Sequence, residues 1–154
     1  MKTKTLISVV ILIMAVLLIT GICATGKKAQ MSEKDLFKKL SGTWVNKDYD
    51  AFDTFKVSGK VIIKEDGTYH GYSVSDDLKH SITGEYKTIE DIWTDTEGNI
   101  WYKATIEENW TTTVMYVLGK IDSSGSVWEF VWSGVDFPPE IDSNHGNYLI
   151  YYRQ

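Results

Sequence analysis

The chain has 154 residues, enough for one domain and not two. Its 6 Trp, 9 Tyr and 5 Phe against 2 Pro can build a real core and lean toward strands, and its single cysteine excludes an internal disulfide framework. The formal net charge is −5, and without the first 22 residues it is −7 (14 basic residues against 21 acidic), which argues against nucleic acid or anionic lipid headgroups as partners of the domain.

Residues 1–30 read as an address. Lys2 and Lys4 precede an almost wholly apolar run at 6–19 (LISVVILIMAVLLI), and Thr20, Gly21 and Ile22 lead to Cys23. A basic start, an apolar run and small residues beyond it form an export signal. The segment LITGIC resembles the lipobox of bacterial lipoproteins, which implies lipidation at Cys23, although Ile22 stands where that box carries a small residue. Signal cleavage after Ala24 and an uncleaved anchor over 6–24 are the alternatives, since 19 residues come close to spanning a bilayer. Export to the cell envelope is common to all three. Residues 24–30 (ATGKKAQ) lack apolar periodicity and read as a tether reaching about 25 Å at full extension. The organisation expected is a signal over 1–23, the tether over 24–30 and a single domain over 31–154.

Residues 31–40 (MSEKDLFKKL) predict the domain's one helix. Ser32 can cap it, Asp35 suits its positive end, and Met31 with Leu36 has the spacing of a hydrophobic staple. Leu36, Phe37 and Leu40 give it one apolar face to dock. From Thr43 onward the period drops to two, predicting strands over 42–48, 55–64, 68–74, 80–94, 100–107, 110–121, 126–132 and 147–153. Short turns at 66–67, 95–99 and 122–125 belong to one end of such a meander. The other connections, with a 133–146 loop containing Pro138 and Pro139, belong to the opposite end. Eight sequential antiparallel strands close as an up-and-down barrel or fold as a sandwich, and closure removes exposed edges. An all-β barrel with the short helix stopping one end is the expected fold.

Alternation assigns inward residues. These are Val57, Val61 and Ile63; Ile82, Gly84 and Tyr86; Ile100, Tyr102, Ala104 and Ile106; and Trp128, Phe130 and Trp132. The strand over 110–121 is apolar on both faces, which leaves its parity open, and the pattern breaks near Glu90 and Asp91, as at a bulge.

Gly42-Thr43-Trp44 directly follows the helix, and Arg153 closes the last strand. This combination resembles the lipocalins, in which a short helix stops the barrel floor, a G-x-W motif opens the first strand and a terminal basic residue packs on its tryptophan. The resemblance spans roughly 32–153 and implies a floor contact between Trp44 and Arg153 beside Gly42. Avidin-like barrels share the opening motif and the strand number. Fatty-acid-binding proteins share the opening, but their ten strands fit poorly.

By topology Ile82, Ile106 and Trp132 lie nearest the mouth, with Phe52 and Phe137 on its loops. These five are the residues expected to touch a small apolar or aromatic ligand. The plainer alternative is a barrel filled by its own side chains. The mouth loops are acidic (Asp48, Asp50, Asp53, Asp76, Asp77, Glu107, Glu108, Asp136, Glu140 and Asp142 against Lys47 and Lys79), which favours a neutral or cationic ligand unless it is simply a solvated acidic surface. No catalytic, metal or cofactor signal is legible: His70, His80 and His145 are scattered, and no G-x-S-x-G elbow is present. The reading is a non-enzymatic, membrane-tethered carrier. Its rival is an interaction module, an inhibitor or adhesin, that works through loops such as Phe137-Pro138-Pro139 around a filled barrel.

Overall fold

The computed structural model describes residues 31–51, 55–75 and 78–154, with the backbone alone at 47–51, 55–57 and 75. The expected signal, Cys23 and the tether lie outside the described residues, as do Phe52 and the side chain of Val57. Among the described residues no helix is long and apolar enough to cross a membrane.

Helix α1 covers Glu33–Leu40. The Ser32 Oγ accepts from the Asp35 N–H at 3.1 Å and donates to Asp35 Oδ2 at 2.6 Å, which satisfies an orphan amide at the first turn. Acidic Glu33 and Asp35 at its start and Lys38 and Lys39 at its end follow the helix dipole. Eight residues are too few to hold a helix in water by themselves. Burial of Leu36, Phe37 and Leu40, with Met31 packed against the same core, supplies the rest.

The strands are β1 Gly42–Ala51, β2 Phe55–Ile63, β3 Thr68–Ser75, β4 Leu78–Thr94, β5 Ile100–Glu108, β6 Met115–Ile121, β7 Val127–Ser133 and β8 Tyr148–Arg153. Each pairs antiparallel with its sequence neighbour, and β1 pairs with β8 through Trp44–Arg153 and Val45–Tyr152. The sheet is therefore a closed barrel, not a sandwich. Aspartates open the three short turns. Asp66 Oδ1 accepts from the Thr68 N–H, Asp95 Oδ1 from those of Glu97 and Asn99, and Asp122 Oδ1 from those of Ser126 and Val127. The acidity of that end is thus structural.

The inward parities of β4, β5 and β7, and of Val61 and Ile63 on β2, are as expected. Strand β4 carries two register shifts, one between Tyr86 and Thr88 and one between Ile89 and Asp91. Each extra residue resets the alternation, so Tyr86, Ile89 and Ile92 all reach the core, with Ile82, despite two successive spacings of three. On β6 the undecided parity resolves: Met115, Val117 and Ile121 face inward.

Two expectations are corrected. Strand β6 begins at Met115, not Trp110, because residue 109 still serves β4. The Asn109 N–H donates to the Thr83 carbonyl at 2.9 Å, Asn109 Oδ1 accepts from the Thr83 N–H at 3.0 Å, and the chain then turns at Thr111. The 133–146 loop does not rim the mouth with its aromatic. Phe137 lies edge-on to Tyr116 (5.1 Å, 82°) with Lys103 Nζ 5.7 Å from its centroid, and Pro138 is buried. This loop lies along the outer wall of β5 and β6, which explains the apolar outer face of β6, where Leu118 is 3 % exposed.

Candidate ligand cavity

The floor is built from the ends of β1 and β8. Trp44 is fully buried, and its Nε1 donates to the Leu40 carbonyl at 2.6 Å, tying the strand to the helix that precedes it. The Arg153 guanidinium lies 4.2 Å from the Trp44 ring centroid. Arg153 donates from Nε to the Gly125 carbonyl at 2.8 Å, from Nη1 to the Ser41 carbonyl at 2.7 Å, and from Nη2 to the Lys39 carbonyl. Those last carbonyls belong to the negative end of α1, where a cation is favoured. A Cβ at residue 42 would stand 2.8 Å from Arg153 Nη1, and its φ of +129° is one that side chains rarely adopt, so the glycine of the motif leaves the guanidinium its place.

Above the floor lies a layer of rings. Trp128 packs on Trp44 (5.7 Å, 60°) and donates from Nε1 to the Tyr102 hydroxyl at 2.8 Å, and the Tyr102 and Tyr86 hydroxyls are 3.1 Å apart. Phe37 of α1 meets Tyr86 edge-on at 5.4 Å. Room for two of these rings comes from glycine: a Cβ at Gly119 would fall 2.2 Å from Tyr102, and one at Gly84 would fall 2.5 Å from Tyr69. Burial pushes the Tyr86, Tyr102, Tyr69 and Tyr151 hydroxyls above the ordinary phenol range. The lower barrel is filled.

The upper barrel holds a cavity of about 260 Å³. Ile82, Ile106 and Trp132, three of the five expected contacts, line it. Phe137 is not among its lining residues, and Phe52 falls outside the described residues. Val61, Met115, Val117 and Phe130 add apolar wall, and Trp110 and Gly146 carry it onto the open-end loops.

Sequence reasoning missed the polar group of this site. Glu108 ends β5 on the parity of Ile100, Tyr102, Ala104 and Ile106, so counting on by two from Ile106 reaches it; assigning it to a turn concealed this. Its Oε1 accepts from the Tyr69 hydroxyl at 2.7 Å and its Oε2 from Trp110 Nε1. Burial pushes its carboxyl up, and the two hydrogen bonds oppose that only in part. Among the described residues Glu108 forms no ion pair, and no three His, Cys, Asp or Glu side chains converge on a point that could hold a metal.

Fold and site together define a small closed antiparallel barrel, plugged at one end, with an aromatic cavity holding one partly buried carboxylate. No family model, curated protein or solved structure matches the chain.

Proposed function

We propose that the chain is a non-enzymatic, exported protein of the cell envelope that binds or carries a small, mostly apolar molecule in a lipocalin-like barrel. The observation that carries this reading is the cavity of about 260 Å³ above a filled floor. An apolar cavity of about 150 Å³ already holds a benzene ring. Concave, mostly apolar sites with a few placed polar groups are how proteins take up small molecules. The contact of Arg153 with Trp44 beside Gly42 supports the likeness to lipocalins. The interaction-module reading loses its strongest support, because Phe137 and Pro138 lie against the barrel wall. The envelope location rests on the export signal and Cys23.

The test is to express the full chain with its own leader, purify it, and extract it for mass spectrometry. Titration with an environment-sensitive dye and a lipid extract then follows Trp fluorescence, since Trp110, Trp128 and Trp132 line the cavity. A co-purifying small molecule, or saturable quenching by dye or extract, is the expected result, and the same spectrum should show an acylated amino terminus at Cys23. An empty protein that takes up neither dye nor extract overturns the carrier reading.

A further inference from the structure

Among the described residues the Glu108 carboxylate lines the cavity without an ion-pair partner. It sits in an apolar enclosure, held by two neutral donors and, among the described residues, by no basic side chain. A carboxylate has about four lone-pair positions, so two hydrogen bonds leave it acceptor capacity. An ionised carboxyl in such surroundings is costly unless a positive charge comes to meet it. The nearby basic residues Lys79 and His80 line an adjoining recess that shares Ser73, Ile82 and Trp110 with the cavity, and neither pairs with Glu108; Lys79 Nζ sits 3.9 Å from the centroid of Tyr72.

The rest of the wall is suited to a cation as well. Trp128, Phe130 and Tyr151 form one panel of rings with centroids 4.7 to 6.0 Å apart, and Trp110 lies edge-on to Trp132 at 6.0 Å. The face of an aromatic ring carries negative potential and attracts an organic cation, more strongly where water is excluded. The rings supply an apolar, polarisable wall and Glu108 supplies the charge, so the cavity can select by charge as well as by apolar shape.

We propose that the ligand of this cavity is an organic ammonium ion, an amine with an apolar body about one ring and a short chain in size, its charge set against Glu108 and its body against the aromatic wall. This rests on the carrier reading and specifies its ligand class. The size follows from the cavity, which exceeds a benzene-sized space by roughly the volume of a short chain. The acceptors of the carboxylate give the ammonium its hydrogen bonds, so the amine head loses less on leaving water than it would in a wholly apolar barrel.

Three probes of matched shape test the proposal on the purified full chain near neutral pH: 2-phenylethylammonium, 2-phenylethanol and phenylacetate, each titrated by calorimetry and Trp fluorescence. The ammonium should bind at least about tenfold tighter than the alcohol, and phenylacetate weaker than both. Glu108→Gln removes the charge with little change of shape: its amide oxygen can still accept from Trp110 Nε1, while its NH2 donates to the Tyr69 hydroxyl, which reverses its role. In that variant the preference for the ammonium over the alcohol should vanish while alcohol binding stays within a few fold. Ammonium affinity should also fall as pH drops and the carboxyl protonates, with the alcohol unaffected. The three-probe comparison on the unaltered protein decides the matter even if the variant does not fold. Alcohol or phenylacetate binding as tightly as the ammonium overturns the cation assignment and leaves the carrier reading standing, whereas an ammonium preference that survives in Glu108→Gln overturns the pairing with Glu108. Failure of all three probes to bind overturns the ammonium proposal, and the dye and extract titration decides separately whether the carrier reading falls with it.

Discussion

Arg153 shows how one side chain can serve three pieces of the fold at once. Its guanidinium spreads over Trp44 and donates to carbonyls of residues 39, 41 and 125, joining the end of α1, the start of β1 and the β6–β7 turn. An alanine there removes a cation–π contact and leaves those carbonyls to water. Arg153→Ala should lower stability by about 1–3 kcal/mol, measured by thermal or denaturant unfolding. Lysine should recover only part of this, because an ammonium cannot present the same planar fork. An unchanged unfolding midpoint for the alanine variant would contradict the role assigned to the contact.

At the scale of elements, α1 is the piece most exposed to a test. Phe37 touches Tyr86 edge-on, and a Cβ on Gly67 would stand only 2.9 Å from its ring, so it wedges between the β2–β3 turn and the tyrosine layer. Phe37→Ala should cost about 3–5 kcal/mol, read from denaturant midpoints, because the rigid rings around it cannot collapse into the space. The helix, the eight strands and most inward parities were legible in the sequence because period two is strong wherever one face of a strand meets water. It failed where that condition failed. Strand β6 is buried on both faces by the loop that lies along the wall, and no local pattern in 133–146 announces where that loop docks. Phe137 was misplaced for the same reason: an aromatic beside prolines reads identically whether it faces solvent or a neighbouring wall. Glu108 was legible by parity, but its partners Tyr69 and Trp110 come from distant strand and loop positions that only the closed sheet brings together.

For the molecule as a whole, the titratable groups act on stability in opposite senses. Hydrogen bonds lower three turn aspartates. The Trp101 indole is the first cause at Asp95, held at about 2, and the Thr68 hydroxyl at Asp66; at Asp122 burial works the other way but is outweighed by Ser124 and the amides of Val127 and Ser126. Their stabilisation is present above the unfolded carboxylate range near 4 and is lost as pH falls toward about 2. Glu108 is raised by burial, so its contribution is greatest when protonated, near and below about 4, and fades as pH rises through its elevated value. Thermal midpoints should therefore climb as pH drops from neutral into the mildly acid range and then fall steeply below about 4. Glu108→Gln should abolish the climb and leave the fall. A wild-type midpoint that declines steadily from neutral pH downward would contradict the placement of that carboxyl.

Closure by a single seam, β1 against β8, also has a consequence for how the protein is made. Every other pairing joins sequence neighbours and can form as hairpins emerge, whereas Arg153 and the Ser41 carbonyl it grips are 112 residues apart. The cylinder stays an open ribbon until its final strand is available, with both seam edges bare and prone to mispairing. A chain made from its amino terminus onward thus stays unsealed, whatever hairpins it has already formed, until β8 is free to close the ring.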